Sequence, residues 1–350
     1  MMFRKSLICA AVLAVVSAAP LATVQAEATG ASKSLGRSLE RLAPRTAAVE
    51  ESAAPTQGEV LERYRRIEGQ SGNAATDTAV AQRLAELEMA SGEERDIAGE
   101  ANAYGAAISR YESLLGRSEG EALQNVLYQL ARAYDVSGQS GKALGMFDRL
   151  LNEYPDNPWR IEALFRRGEI RFSNESWEGA ALDYADVVAE GEDTPFHQNA
   201  RYMLGWAWFK QSAFGEALDE FLPLIGHLQS DKTELSRAEQ ELLDDTLRVS
   251  VLSLQYLSGP VTLSEHMVVL GRPDWQSLVY ERLANRYIDQ ERWQDAARTW
   301  STFVDQNPLS ADAPEAQQAL IAVLEDGKFP TDAAREKERY VTLFGASSAW

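Results

Sequence analysis

The chain of 350 residues holds one cysteine, Cys9, and three histidines, His197, His227 and His266. A single thiol excludes a disulfide framework. None of the histidines stands in an HExxH or other paired spacing, so a transition-metal site would have to assemble from scattered ligands, and no metal is expected. Positive charge is also scarce: 34 Lys+Arg face 53 Asp+Glu, a net charge of −19. Such a surface repels phosphate backbones and anionic lipid, which argues against nucleic acid or a membrane surface as partner. It leaves solubility in a dense compartment, or docking to a basic partner. Missing too are a P-loop, a GxGxxG after a strand, a G-x-S-x-G elbow and a DxDxDG loop. The carboxylates that do cluster, Glu93-Glu94-Asp96 and Asp244-Asp245, read most simply as solvated faces. No catalytic residue, no cofactor and no enzyme activity are expected.

Long apolar runs are absent except at the start. Arg4 and Lys5 precede the apolar stretch Leu7–Val16, which is too short to span a bilayer, and Val24-Gln25-Ala26 is a small-residue exit. Residues 1–26 read as an export signal cleaved after Ala26, which implies a periplasmic chain beginning at Glu27 with no integral membrane segment. Cys9 lies inside the apolar core, a poor place for lipid attachment. Cleavage leaves 32 basic against 53 acidic residues, a net charge near −21. Residues 27–78 are rich in Ala, Ser, Thr, Gly and Pro and short of large apolar side chains, so they read as a flexible tether. Two amphipathic pieces inside it, Lys33–Leu42 and Glu59–Glu68, have the pattern of short helices.

What is present in quantity is a repeated helical hairpin. In Asn199–Leu228 the first half sets Leu204-Gly205 and Trp208 on one helical face, and the second sets Ala217, Phe221 and Leu224 four and three apart. Small residues at 205 and 217 let two helices cross at roughly 8–9 Å. The pattern recurs as Leu130-Ala131, Tyr134, Ala143, Phe147, Leu150, Pro155; as Arg167-Gly168, Arg171, Ala180, Tyr184, Val187; and as Leu283-Ala284, Tyr287, Ala296, Trp300, Phe303, Pro308. The markers Ala143, Ala180, Ala217 and Ala296 fall at steps of 37, 37 and 79, and the last gap has room for one divergent unit.

This pattern resembles the tetratricopeptide repeat, a helix–turn–helix unit of about 34 residues with the signature L-G-x2-Y, A-x3-F and a closing P. Three departures stand out: Leu127, Leu164, Arg201 and Tyr280 replace the first-helix tryptophan, Arg171 stands at the tyrosine position, and the two middle copies lack the proline. In stretches such as LNEYPDNPWRIEALFRRGEIRF the chain looks like bacterial cell-envelope members of the family. The resemblance implies an all-α solenoid over residues 79–350, of about six to seven hairpins. A degenerate first unit opens at Ala79, breaks at Ser91–Glu94 and continues over Ala103–Leu115. The divergent unit has a long first helix, a Ser258-Gly259-Pro260 break and a short second helix over Val261–Leu270. The tail, Ala313–Leu343, reads as a last hairpin turning at Gly327–Pro330.

In this family the first helices line a groove, and the corresponding positions here are Asn125, Tyr128, Arg132, Asp135, then Glu162, Phe165, Glu169, Phe172, then Asn199, Tyr202, Trp206, Phe209, then Leu278, Glu281, Asn285, Ile288. The expected partner-binding residues are Tyr128, Arg132, Phe165, Glu169, Tyr202, Trp206 and Phe209, aromatic anchors for an extended peptide or an amphipathic helix. The opposing reading is that the aromatics are core between repeats, since stripes at helical spacing usually are. The function expected is a non-catalytic periplasmic adaptor that holds a segment of another envelope protein. Two alternatives stay open: the regulatory or substrate-presenting arm of a cell-wall enzyme, and the N-terminal part of a larger repeat protein.

Overall fold

The structure, a computed structural model, describes residues 55–230, 234–346, 348 and 350. The export signal, its cleavage point and the piece Lys33–Leu42 lie outside them. The described helices belong to one unit, Thr56–Trp350. Its elements are α1 (Gln57–Ile67), α2 (Ala74–Ile97), α3 (Gly105–Leu114), α4 (Gly120–Val136), α5 (Ser140–Glu153), α6 (Arg160–Ser173), α7 (Trp177–Ala189) and α8 (His197–Lys210). They continue with α9 (Phe214–Ser230), α10 (Arg237–Tyr256), α11 (Pro260–Val269), α12 (Gln276–Ile288), α13 (Trp293–Gln306), α14 (Ala313–Asp326) and α15 (Pro330–Phe344). Each helix except α11 packs mainly on its chain neighbours, which makes a solenoid of seven successive pairs from α2–α3 to α14–α15.

The hairpin works by laying a ring over a residue with little or no side chain. A Cβ placed on Gly205 would come 2.5 Å from the Phe221 ring, and one on Gly168 would come 2.8 Å from Tyr184. Both rings are fully buried. The turn is as regular as the crossing. Gly138, Glu175, Ser212, Glu291 and Lys328 all have φ between 56° and 72°, and each stands five residues before Ala143, Ala180, Ala217, Ala296 and Ala333 respectively. In each turn the next residue's N–H closes on the carbonyl five positions back, as in Gln139 to Tyr134 (2.8 Å), Ser176 to Arg171 (2.8 Å) and Ala213 to Trp208 (3.0 Å). That is the Schellman bond of a helix ended by a left-handed residue.

Arg171, the odd residue at the tyrosine position, has its reason in the packing. Arg167 and Arg171 of α6 both reach Asp183 of α7, which is 1% exposed, and Asp148 of α5, with Arg171 at 2.9 Å and 3.2 Å. The network ties two successive pairs together where other copies use a ring. A buried ion cluster of this kind is costly to break from one side, about 3–5 kcal/mol, because it leaves a desolvated charge unpaired.

Two expectations are corrected. The stretch 27–78 is not tether throughout: residues 57–67 form α1, opened by a Thr56/Glu59 capping box, and α2 begins at Ala74, before Ala79. The reason is Glu88, 3% exposed in α2, which takes Arg110 of α3 at 2.9 Å and Arg65 of α1 at 3.4 Å. Secondly, Ser91–Glu94 does not break the first helix, since α2 runs through to Ile97; Gly92 lies under the Tyr104 ring, 2.7 Å from where its Cβ would be. The divergent unit has the long first helix, the break at 258–260 and the short second helix read from the sequence, and its packing is its own: α10 packs on α9 and α12, and α11 mostly on α13. Gly259 makes that turn at φ 58°, with the Tyr287 hydroxyl 2.7 Å from its would-be Cβ.

Side chains other than glycine sit strained in four of the five regular turns, at a cost of about 1–2 kcal/mol each. Ser212→Gly and Glu291→Gly should each raise stability by about 0.5–1 kcal/mol after the extra chain entropy of glycine is counted. Gly138→Ala should lower it by a similar amount, all read as shifts of the urea midpoint.

Candidate functional site

The first helices α4, α6 and α8 repeat in register, so the 37-residue step carries Arg132 onto Glu169 and Trp206, Asp135 onto Phe172 and Phe209, and Tyr128 onto Phe165 and Tyr202. The last of these three rows is core at its start. Tyr128 is 3% exposed and stacks on Trp159, with centroids 5.2 Å apart and planes 11° apart. Phe165 is 6% exposed, between Phe196 at 5.1 Å and Tyr184 at 5.8 Å. Neither is available to a partner, which corrects the expectation for both.

The covering residues explain it. Trp159 and Phe196 cap α6 and α8 at their N-termini, stand 37 residues apart, and each closes over the ring of the preceding unit. The N-cap of the next first helix, α10, is Ser236, which carries no ring. Tyr202 is accordingly half-buried. It packs against Phe221 and Trp206, and its hydroxyl donates to Asp245 of α10. Its place is structural as much as exposed.

Arg132, Glu169, Trp206 and Phe209 stay half-buried on this face. Trp206 meets Phe209 edge-on at 5.4 Å, and Phe209 meets Phe214 at 5.3 Å and Tyr256 at 6.4 Å. Lys210 and Arg248 stand 6.0 Å and 5.8 Å from the Trp206 ring centre, within reach of a cation–π attraction. This aromatic group bridges two blocks of core, one built from α2 to α8 and one from α9 to α15. Sequence reasoning missed Phe214, Tyr256 and Arg248. Tyr256 and Arg248 lie on α10, where the divergent unit has no motif from which to transfer a register.

Models of the tetratricopeptide repeat match residues 125–157 and, through a second model of the same repeat, residues 165–224 and 281–339. The chain carries tetratricopeptide repeats. Solved structures to which it is similar include a tetratricopeptide repeat protein from Parabacteroides merdae, 16% identical over 77% of this chain and 92% of that one, TM-score 0.42. Another is BtubC (BKLC) from P. vanneervenii, 15% identical over 64% and 87%, TM-score 0.42. A third is the C-terminal part of a repeat-containing protein from Cytophaga hutchinsonii, 14% identical over 74% and 94%, TM-score 0.40. No curated protein matches the sequence.

The unmatched unit between the repeats contributes a cleft to the first-helix face. Between α10 and α12 lies a cleft of about 870 Å³, with Val251, Leu252 and Leu278 as apolar lining and Arg248, Glu281 and Arg286 among its charged groups. Arg248 belongs both to this cleft and to the aromatic group, so the two are continuous. The histidines lie apart: His197 is buried at the start of α8, His227 faces Gln198, and His266 Nδ1 lies 3.3 Å from Asp219. Among the described residues no group of three His, Cys, Asp or Glu is placed to hold a metal ion, and no helix is long and apolar enough to cross a membrane.

At the other end of the face, carboxylates are desolvated. Burial pushes Glu169 up to about 7, with Arg166 opposing and Asp135 adding, and burial also raises Asp135 against the pull of Arg166. The unfolded glutamate titrates near 4.5, so between 4.5 and about 7 the folded chain holds a proton that the unfolded chain has lost. Stability therefore falls as pH rises through that window. Glu169→Gln should match the wild type at pH 4 and exceed it by about 1–3 kcal/mol at pH 8, measured by urea denaturation at both pH values.

Proposed function

We propose that this repeat chain is a non-catalytic adaptor that is exported to the periplasm and holds a segment of an envelope protein on its first-helix face. Tetratricopeptide repeats are protein-interaction scaffolds. The observation that carries the reading is the half-open line of Arg132, Glu169 and Trp206 in register, with Phe209 beside Trp206, running into the α10–α12 cleft. Tyr128, Phe165 and Tyr202 support this face from beneath. Rigid aromatic side chains with part of their surface still open gain large contact area for little entropy, which is why they serve as binding anchors. Export rests on the charged, apolar and small-residue order of residues 1–26.

Photo-crosslinking in cells tests both halves. A crosslinking phenylalanine analogue at Phe209 or Trp206 should give a discrete protein adduct, and the same analogue at Leu182, 64% exposed on the second-helix side, should not. The recovered chain should begin at Glu27. Adducts from Leu182 alone would move the docking surface to the opposite side, and a chain still starting at Met1 would remove the export reading.

A further inference from the structure

The first-helix face is not uniform in charge, and its unevenness specifies what it holds. Consider the carboxylates first. Glu162 is already served, since Arg166 Nε donates to it at 2.8 Å. Arg132 is turned to Gln129 at 3.2 Å and to the Tyr128 ring. Asp135 and Glu169, on neighbouring first helices, have no lysine or arginine within 4.0 Å among the described residues. They lie half-buried, where an unpaired charge is far more costly than in water.

The aromatic part of the face has the opposite balance. Lys210 lies between two indoles, 5.5 Å from Trp177 and 6.0 Å from Trp206, and Arg248 faces Trp206 as well. With two cations already at its ring, Trp206 offers poor accommodation to a third. It suits a neutral apolar, aromatic or proline residue, which aromatic surfaces take by contact area. Beyond it, Val251, Leu252 and Leu278 line the cleft with aliphatic surface.

We infer that the occupant of this face is an extended segment of a partner protein that places a lysine or arginine at Asp135 and Glu169 and, further along, apolar or proline residues at Trp206–Phe209 and in the α10–α12 cleft. This deepens the docking reading and rests on it. Complementarity of charge is the argument for the sign: Arg166 acts on both carboxylates from beyond 4.0 Å, and the partner's cation supplies the contacting counter-ion that neither has, on a chain whose net charge of −19 also favours the approach of a basic segment. The aromatic stretch then fixes the direction, because a segment laid the other way would bring its basic residue to Lys210 and Arg248.

Panning a random 12-residue phage-displayed peptide library on the immobilised full chain tests this. The expected result is an enriched sequence with one Lys or Arg set apart from an apolar or proline pair. A synthetic peptide of that sequence should bind at least about tenfold more weakly to Asp135→Asn/Glu169→Gln, and its affinity should fall with salt. The double variant removes charge without removing volume, and its thermal melting confirms that it is folded. If the enriched peptides lack a basic residue, or bind the double variant as well as the wild type, yet are lost on Phe209→Ser, the cation site is overturned and the docking face stands. If no enriched peptide is lost on Phe209→Ser, both are overturned.

Discussion

The contact on which the rest depends is a ring laid on a position that has no room for a side chain. Phe221 over Gly205 and Tyr184 over Gly168 let two helices close, and the left-handed residue in the turn holds them at that approach. Because the ring is wholly buried, the pair is a packed unit with little tolerance on either side. Repetition at 37 residues then stacks one unit on the next, so that each hairpin's outer faces become its neighbour's core. The exceptions follow the same need. Where a tyrosine is replaced by Arg171, the volume and the tie between units come from a desolvated cluster with Arg167, Asp148 and Asp183.

The open surface is what is left when that stacking is incomplete. Trp159 and Phe196 close over the rings before them, and the corresponding N-cap of α10 is Ser236, which has no ring. From there on, Tyr202, Trp206 and Phe209 lack that cover. They also bridge the two blocks of core, joined by Tyr256 and Phe214. A surface that is at once a seam of the fold and open to solvent is held rigid by its own packing, so a partner binding there meets side chains already ordered. The α10–α12 cleft continues it because α11 leaves its hairpin partner and packs on α13.

Charge is distributed by the same logic. The repeat register places Arg132 of α4 and Glu169 of α6 where α8 has Trp206, and Asp135 of α4 where α6 and α8 have Phe172 and Phe209, so one face changes from polar to ring within two units. Arginines that might neutralise the carboxylates are committed elsewhere: Arg166 to Glu162, Arg167 and Arg171 to the aspartates beneath. Glu169 is left with burial as the main influence on its titration.

The sequence by itself determined the period and the crossing residues, because each is local: a glycine or alanine beneath a ring at fixed spacing. It also marked Trp206 and Phe209 on the open face. Only the tertiary structure decided that Tyr128 and Phe165 are core, since what covers them comes from the turn entering the next unit, outside the hairpin that contains them. Only it showed that residues 57–67 join the array, because Glu88 binds Arg65 and Arg110 from segments far apart in the chain. The divergent unit was the least legible for the same reason. Its helices are set by contacts with α9, α12 and α13 instead of with each other, and no spacing within the unit records them.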